Sequence, residues 1–309
     1  KWASKWKPDG GEMVQAFLSA GTVLIPGIEL SCGTFYADTL RVSGSPRVFE
    51  MRAVSVPMNK PIRRRLRTRA WEKTTLKAIA VAIAGEAGVG LLFDTQSDPE
   101  YDRQDQSKES DLAFLVRLTD EAGFSLKVTD EQLVVFDQAA YEKKAPVETL
   151  TLGTSQILSW EFESAQSESY RTCTVSYRDP KQKTKQKAGG YDFNLRPVSG
   201  KSTNPAVMTY TATDPDADPN GQEYALKRRA KSLEEAKRLA TAKLRSLNRR
   251  RVTGRLSVVG DVMLVAGAVV ECRGFGSFDG NFIIEEAVHS LDSSGHRTDI
   301  SLRRVNNAY

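Results

Sequence analysis

Between Val14 and Val54 the apolar residues come in short stretches, each cut off by glycine or proline, and this punctuation restricts the first sixty residues to strands and turns. Val14, Phe17, Val23, Ile25, Ile28 and Leu30 are followed by Phe35, Leu40, Val42, Val48, Met51 and Val54. Turns fall at Gly44-Ser45-Pro46 and Val56-Pro57. Short strands separated in this way predict a β-sandwich or barrel.

The period changes after Pro61. Leu76, Ile79, Ala80, Ile83, Ala84 and Ala87 recur at the three-and-four spacing of one helical face, and Gly85 and Gly88 weaken and end that helix. A second helix begins after Ser107 or Ser110, either of which can accept from first-turn N–H groups. It carries Leu112, Leu115, Leu118 and Ala122 and stops at Gly123. Phe124–Val128 and Leu133–Phe136, joined across Thr129-Asp130-Glu131-Gln132, predict a hairpin.

Strand-like patterns return from Thr149 to Tyr177, with Ile157, Trp160 and Phe162 and then Cys173, Val175 and Tyr177. Residues 180–222 combine four spaced lysines with Gly189-Gly190 and the run from Asp214 to Gly221, and offer little apolar surface against the entropy of ordering. They predict a long flexible loop, with one short strand near Val207–Thr211. A helix then starts at Ser232, whose spacing to Glu235 is that of a capping box, and Leu233, Ala236, Ala240, Leu244 and Leu247 share one side. Strands near Val252–Val259, Ala268–Cys272, Phe282–Val288 and Thr298–Leu302 close the chain.

The fold expected is therefore mainly β with an α+β insert. Residues 1–60 form a first β-barrel-like domain, completed by about 146–179. Residues 61–145 form a small α/β domain, 180–222 a flexible loop, and 223–309 a helix with a second β-barrel-like domain.

Several function classes find no support. No run of about 18 apolar residues exists to span a bilayer, so membrane insertion is not expected. Lys1–Lys7 leads into polar turn residues rather than a signal core, and synthesis in a reducing cytoplasm is expected. The start without methionine reads as trimmed. Cys32, Cys173 and Cys272 are dispersed and read as isolated small core residues. A net charge of +5 from 44 basic and 39 acidic residues describes a mixed surface, with no specific nucleic-acid partner implied.

Candidate chemistry is sparse. His289 and His296 flank the Asp292-Ser293-Ser294-Gly295 turn without further metal ligands or an oriented nucleophile, and read as strand-end surface residues. The glycine strings Gly85–Gly90 and Gly274–Gly280 lack the strand before, the helix start after and the Gly-Lys-Ser/Thr ending of a phosphate loop. Both read as turns that need positive φ. Glu285-Glu286 and Asp120-Glu121 are pairs of carboxylates, but neighbours on a strand point to opposite faces and a helix end exposes its charge, so both read as solvated. Arg63, Arg64, Arg65, Arg67 and Arg69, with Arg249-Arg250-Arg251, are open to three readings: a subunit interface, a nucleic-acid site, or a solvated or locally paired face. No catalytic, cofactor-binding or metal-binding residue is assigned, and no cofactor is implied.

The stretch Gln106-Ser107-Lys108-Glu109-Ser110-Asp111-Leu112-Ala113-Phe114-Leu115-Val116-Arg117-Leu118, ending at Gly123, resembles the signature helix of phage late control protein D and its Gram-positive relatives. Matches continue in order through Cys32-Gly33-Thr34-Phe35, Trp71, Thr75-Leu76, Leu133–Asp137, the 232–248 helix and Gly274–Gly280. The resemblance covers nearly the whole chain except 180–222. It implies a structural, non-enzymatic baseplate hub of a contractile tail or tail-like particle: a homotrimer whose two hub domains per subunit match a sixfold tube. The partners implied are the central spike and the tail tube or tube-initiator protein, with baseplate wedges and the tape measure as further neighbours. Some members carry a lysozyme or peptidase extension, which is not expected here. The rivals are a peptidoglycan-processing tail enzyme and a nucleic-acid-binding module.

Overall fold

The computed structural model describes residues 11–22, 25–55, 62, 65–129, 132–154, 156–165, 169–183 and 205–306. In chain order the first elements are β1 (Met13–Thr22), β2 (Ile25–Ser43), β3 (Val48–Val54), β4 (Leu66–Thr75), α1 (Leu76–Ala87), β5 (Gly90–Asp94) and β6 (Glu100–Ser110). Then come α2 (Asp111–Ala122), β7 (Phe124–Thr129), β8 (Gln132–Asp137), α3 (Gln138–Glu142), β9 (Glu148–Thr151) and β10 (Ile157–Ser164). The rest are β11 (Tyr170–Lys183), β12 (Pro205–Thr213), β13 (Gln222–Ala230), α4 (Leu233–Asn248), β14 (Val252–Val259), β15 (Val269–Arg273), β16 (Gly280–Asp292) and β17 (Gly295–Arg304). The chain divides into two compact units, one of residues 1–120, 124–163 and 253–305, the other of residues 121–123, 164–252 and 306–309.

In the first unit, β1, β2 and β3 form an antiparallel meander. Among its described residues only Thr34 and Ala37 are buried, while Met13, Phe17, Val42 and Val48 are more than half exposed. The helices follow their sequence signals. Thr75 caps α1 by accepting from the Ala78 N–H, Leu76, Ile79, Ala80, Ile83 and Ala84 form its buried stripe, and Gly88 at φ 61° ends it. Ser110, rather than Ser107, caps α2 through the Ala113 N–H. The 124–137 hairpin forms, and β5 lies parallel to β8 in the same sheet.

Strands β10, β14, β17, β16, β15 and β9 make one six-stranded sheet in that order. Phe162 on β10 packs against Phe282 on β16 with ring centroids 5.3 Å apart. Those strands stand three places apart, about 14 Å on a flat sheet. The sheet must therefore curl, and its two edge strands are joined by the short link 152–156. This is the barrel-like element, and it corrects the expected pairing. Residues 148–164 hydrogen-bond to strands from 252–273, not to the first sixty residues. Local patterning marks a strand but does not name its partner.

The second unit is built on β12, β11 and β13, with β11 antiparallel to β12 and parallel to β13. Helix α4 lies over this sheet, and Cys173, Val175, Tyr177, Ala212, Ala230, Ala236, Leu239, Ala240 and Leu244 make the shared core. The helix expected to accompany the C-terminal strands thus belongs with β11–β13. Ser232 caps it through the Glu235 N–H, and the Glu235 carboxylate accepts from the Lys231 N–H.

Part of the expected 180–222 loop is also regular structure. Residues 180–183 extend β11, 205–213 form β12, and 184–204 lie outside the described residues. The aspartate run folds because its own side chains replace missing backbone partners. Asp214 accepts from the Asp216 N–H, and Asp218 from the Asn220 N–H. Asn248 then donates to Asp214 and to the Tyr170 carbonyl and accepts from the Tyr170 N–H.

Gly254 on β14 is where the curl can be tested. A Cβ there would lie 2.5 Å from the Phe162 ring, too close for either to stay in place. Gly254→Ala is expected to destabilise the chain by about 1–3 kcal/mol. Chemical denaturation checks it, and Gly254→Ala with Phe162→Leu should recover part of the loss.

Candidate functional site

Alternation along β4 turns Arg67, Arg69 and Trp71 to one face and leaves Leu66, Thr68 and Ala70 exposed. On the paired strand β6, Gln104 and Gln106 are buried, and the chain then enters α2 at Asp111. These residues converge on one carboxylate. Arg69 Nη2 donates to Asp111 Oδ1 at 2.8 Å, Gln106 Nε2 donates to the same oxygen at 2.8 Å, and Arg67 Nε stands 3.3 Å from Oδ2. Asp111 is 3% exposed and sits in the first turn of α2, where the helix dipole favours negative charge.

The surrounding groups are also committed. Arg69 Nε donates to Gln106 Oε1 at 2.9 Å, and its guanidinium lies 4.5 Å from the Trp71 ring centroid. Trp71 stacks on Phe114 of α2. Glu86 of α1 pairs with both Arg67 and Arg69. Burial works against its charge, but the hydrogen bonds and charges of Arg69 and Arg67 prevail and hold its carboxyl below the usual range. Arg117 pairs with Glu109 at 2.7 Å and lies over Phe114. The 106–118 stretch therefore joins β4, β6, α1 and α2.

The arginine cluster is thus locally paired at Arg67 and Arg69, which leaves those two without the freedom a phosphate contact needs. Arg65 is exposed, and Arg63 and Arg64 lie outside the described residues. Of the later run, Arg251 Nη1 stands 3.7 Å from the buried Asp214.

Glu285 departs from the solvated reading. The register shifts between Ile284 and Glu286, and Glu285 in this bulge stands 3.3 Å from Arg303 Nε. Arg303 is 3% exposed and also donates to Glu142 of α3 at 2.7 Å. Sequence reasoning missed this buried triad because Arg303 reads as an ordinary strand-end charge. Asp120 and Glu121 stand at the end of α2, where Asp120 is exposed, but Glu121 is part-buried and pairs with Arg228, against the solvated reading.

The glycine strings are turns. Gly88, Gly274, Gly276 and Gly280 have positive φ, and Asp279 Oδ1 accepts from the Phe275 N–H across the second string. That turn places Phe275 and Phe278 on Phe162, with Trp160 against Phe275. Burial pushes the Cys272 thiol up to about 12 and raises Cys173, so neither is a thiolate at neutral pH. His289 and His296 are part-buried and face each other at 3.3 Å. Among the described residues no three His, Cys, Asp or Glu side chains cluster as metal ligands do, and no helix is long and apolar enough to cross a membrane.

With this geometry in place, the comparisons become informative. Residues 43–295 match the family model described as phage tail baseplate hub (GPD). The chain is 26% identical over 294 residues to the probable baseplate hub protein of Escherichia phage 186, covering 88% of this chain and 75% of that one. Its fold is similar to the 43 kDa tail protein of prophage MuSo2 from Shewanella oneidensis, with TM-score 0.64, 14% identity, and coverage of 95% and 89%. A tail protein from Neisseria meningitidis MC58 gives TM-score 0.63 and 14% identity, over 92% of this chain and 84% of that one.

Removing Asp111 leaves two arginines and a buried amide without their common acceptor. Asp111→Ala is expected to cost about 3–5 kcal/mol. Urea unfolding measures it, and Arg69→Met alongside Asp111→Ala should cost less than the sum of the single changes.

Proposed function

Because the chain belongs to the phage tail baseplate hub (GPD) family, we propose that three copies close into a ring on the tail axis and join a central spike to the sixfold tail tube. The family match across most of the chain carries this reading. The curled six-stranded sheet of the first unit and the β11–β13 sheet of the second are two strand-built elements that, taken three times, would make six contributions to a sixfold ring. The meander β1–β3 supports the same reading. It exposes Met13, Phe17, Val42 and Val48 and buries almost nothing of its own, as a surface completed by other subunits does.

The role is geometric rather than hydrolytic. Of the two carboxylate pairs weighed for glycosidase chemistry, each has one member held by an arginine, Glu285 by Arg303 and Glu121 by Arg228, which supports this reading. The neighbours in the particle would be the spike, the tube or tube-initiator protein, and further out the baseplate wedges and tape measure. The chain would be made in the bacterial cytoplasm and then built into the tail of a phage or tail-like particle.

Cryo-microscopy of the native particle tests this reading. Three copies are expected on the axis between the spike and the first tube ring, one for every two tube subunits in that ring. Six copies in the hub, or a position on the peripheral wedges, overturns the symmetry-adaptor role. Purified protein is expected to leave peptidoglycan intact, and turnover abolished by one carboxylate substitution would favour a tail enzyme instead.

A further inference from the structure

His289 on β16 and His296 on β17 meet because of register. Across the hairpin His289 pairs with Thr298 and Leu291 with His296, which makes the two histidines diagonal neighbours on one face. Their ring centroids are 5.4 Å apart, and His289 Nδ1 is 3.3 Å from His296 Nε2.

The Asp261 N–H donates to Thr298 Oγ1 at 3.1 Å, and that hydroxyl lies 3.1 Å from His289 Nδ1 and 3.5 Å from the Asp261 carbonyl oxygen. Between two neutral rings one nitrogen donates and the other accepts, so the contact of His289 Nδ1 with His296 Nε2 holds one hydrogen. Thr298 is 0% exposed, so water does not replace it. The segment 260–264 closes on the same hairpin. The Gly260 N–H donates to the His296 carbonyl at 2.8 Å, and a Cβ on Gly260 would lie 2.0 Å from His296 Cγ.

We propose that His289 and His296 form a proton-operated latch that holds residues 260–264 on the β16–β17 hairpin at neutral pH and releases them when both rings are charged. Charging both rings sets donor against donor and places two like charges at contact distance. The segment it holds forms one wall of a cleft that also includes Glu148, Leu150 and Gln156, so release changes what that cleft exposes.

The local charges agree in sign. Burial, and then the charge of His296, push His289 below the ordinary histidine range, against the Leu264 backbone and the Asp261 carboxylate. Beside the pair, β14 contributes the apolar Val258, and on β17 Arg297 and Asp299 pair with each other on the opposite face. A histidine that binds its proton less well folded than unfolded gives stability that is full above about pH 6.5 and is lost as pH falls below it.

Amide hydrogen exchange of Gly260, Asp261 and Met263 in the full chain, corrected for intrinsic rates and followed from neutral pH to about pH 5, tests the latch. Protection in the wild type is expected to fall about tenfold or more. His289→Asn keeps an acceptor near the Nδ1 position but does not titrate, and its protection should stay level. His296→Gln, whose amide can donate or accept, should blunt the fall and serves as the comparison should His289→Asn not fold. Equal wild-type protection at both ends of the range overturns the proposal. So does an undiminished fall in the variants, which would assign the effect to carboxylates such as Asp261.

Discussion

Asp111 is the point on which the α/β part of this chain depends. A carboxylate that is almost wholly buried is tolerable only when its charge is met, and here Arg67 and Arg69 meet it while Gln106 fills a remaining lone pair. Those three groups come from two strands, and the carboxylate opens a helix. One ion therefore fixes the angle at which β4, β6 and α2 come together. Glu86 extends the same charge set to α1. The stretch that resembles a family signature is thus a mechanical joint.

The same device recurs. Arg303 bridges Glu142 and Glu285 in the six-stranded sheet, and Asp214 is held by Asn248 in the second unit. Asp111, Glu142, Arg303 and Asn248 lie at or near the ends of their elements, where backbone geometry changes and apolar packing alone leaves orientation open. Such groups contribute little net stability over an apolar core, because desolvation offsets their attraction. Their effect here is to specify which arrangement forms.

Much of the fold was legible because its signals are local. Thr75 and Gly88 bound α1, Ser232 and Glu235 open α4, and the 124–137 hairpin needs only its own residues. What was not legible depends on distant partners. Nothing within residues 148–164 says that they join strands a hundred residues later, and nothing within 232–248 says which sheet the helix will cover. The aspartate run from 214 was misread for a different reason. Its composition is that of a loop, yet Asp214 and Asp218 supply acceptors that a compositional argument does not count. The candidate site shows the same division. Isolated arginines were visible, whereas the bulge that turns Glu285 inward and the register that joins His289 to His296 exist only once strands have paired.

The way β9 and β10 wait for their partners also sets an order of events during synthesis. Residues 164–252 form a contiguous unit that can fold as it leaves the ribosome, while β9 and β10 must stay unpaired until β14 and β15 follow. At bacterial elongation rates that interval is on the order of ten seconds. For that time the edges of β9 and β10 are open templates for pairing with other chains, a hazard when copies are crowded.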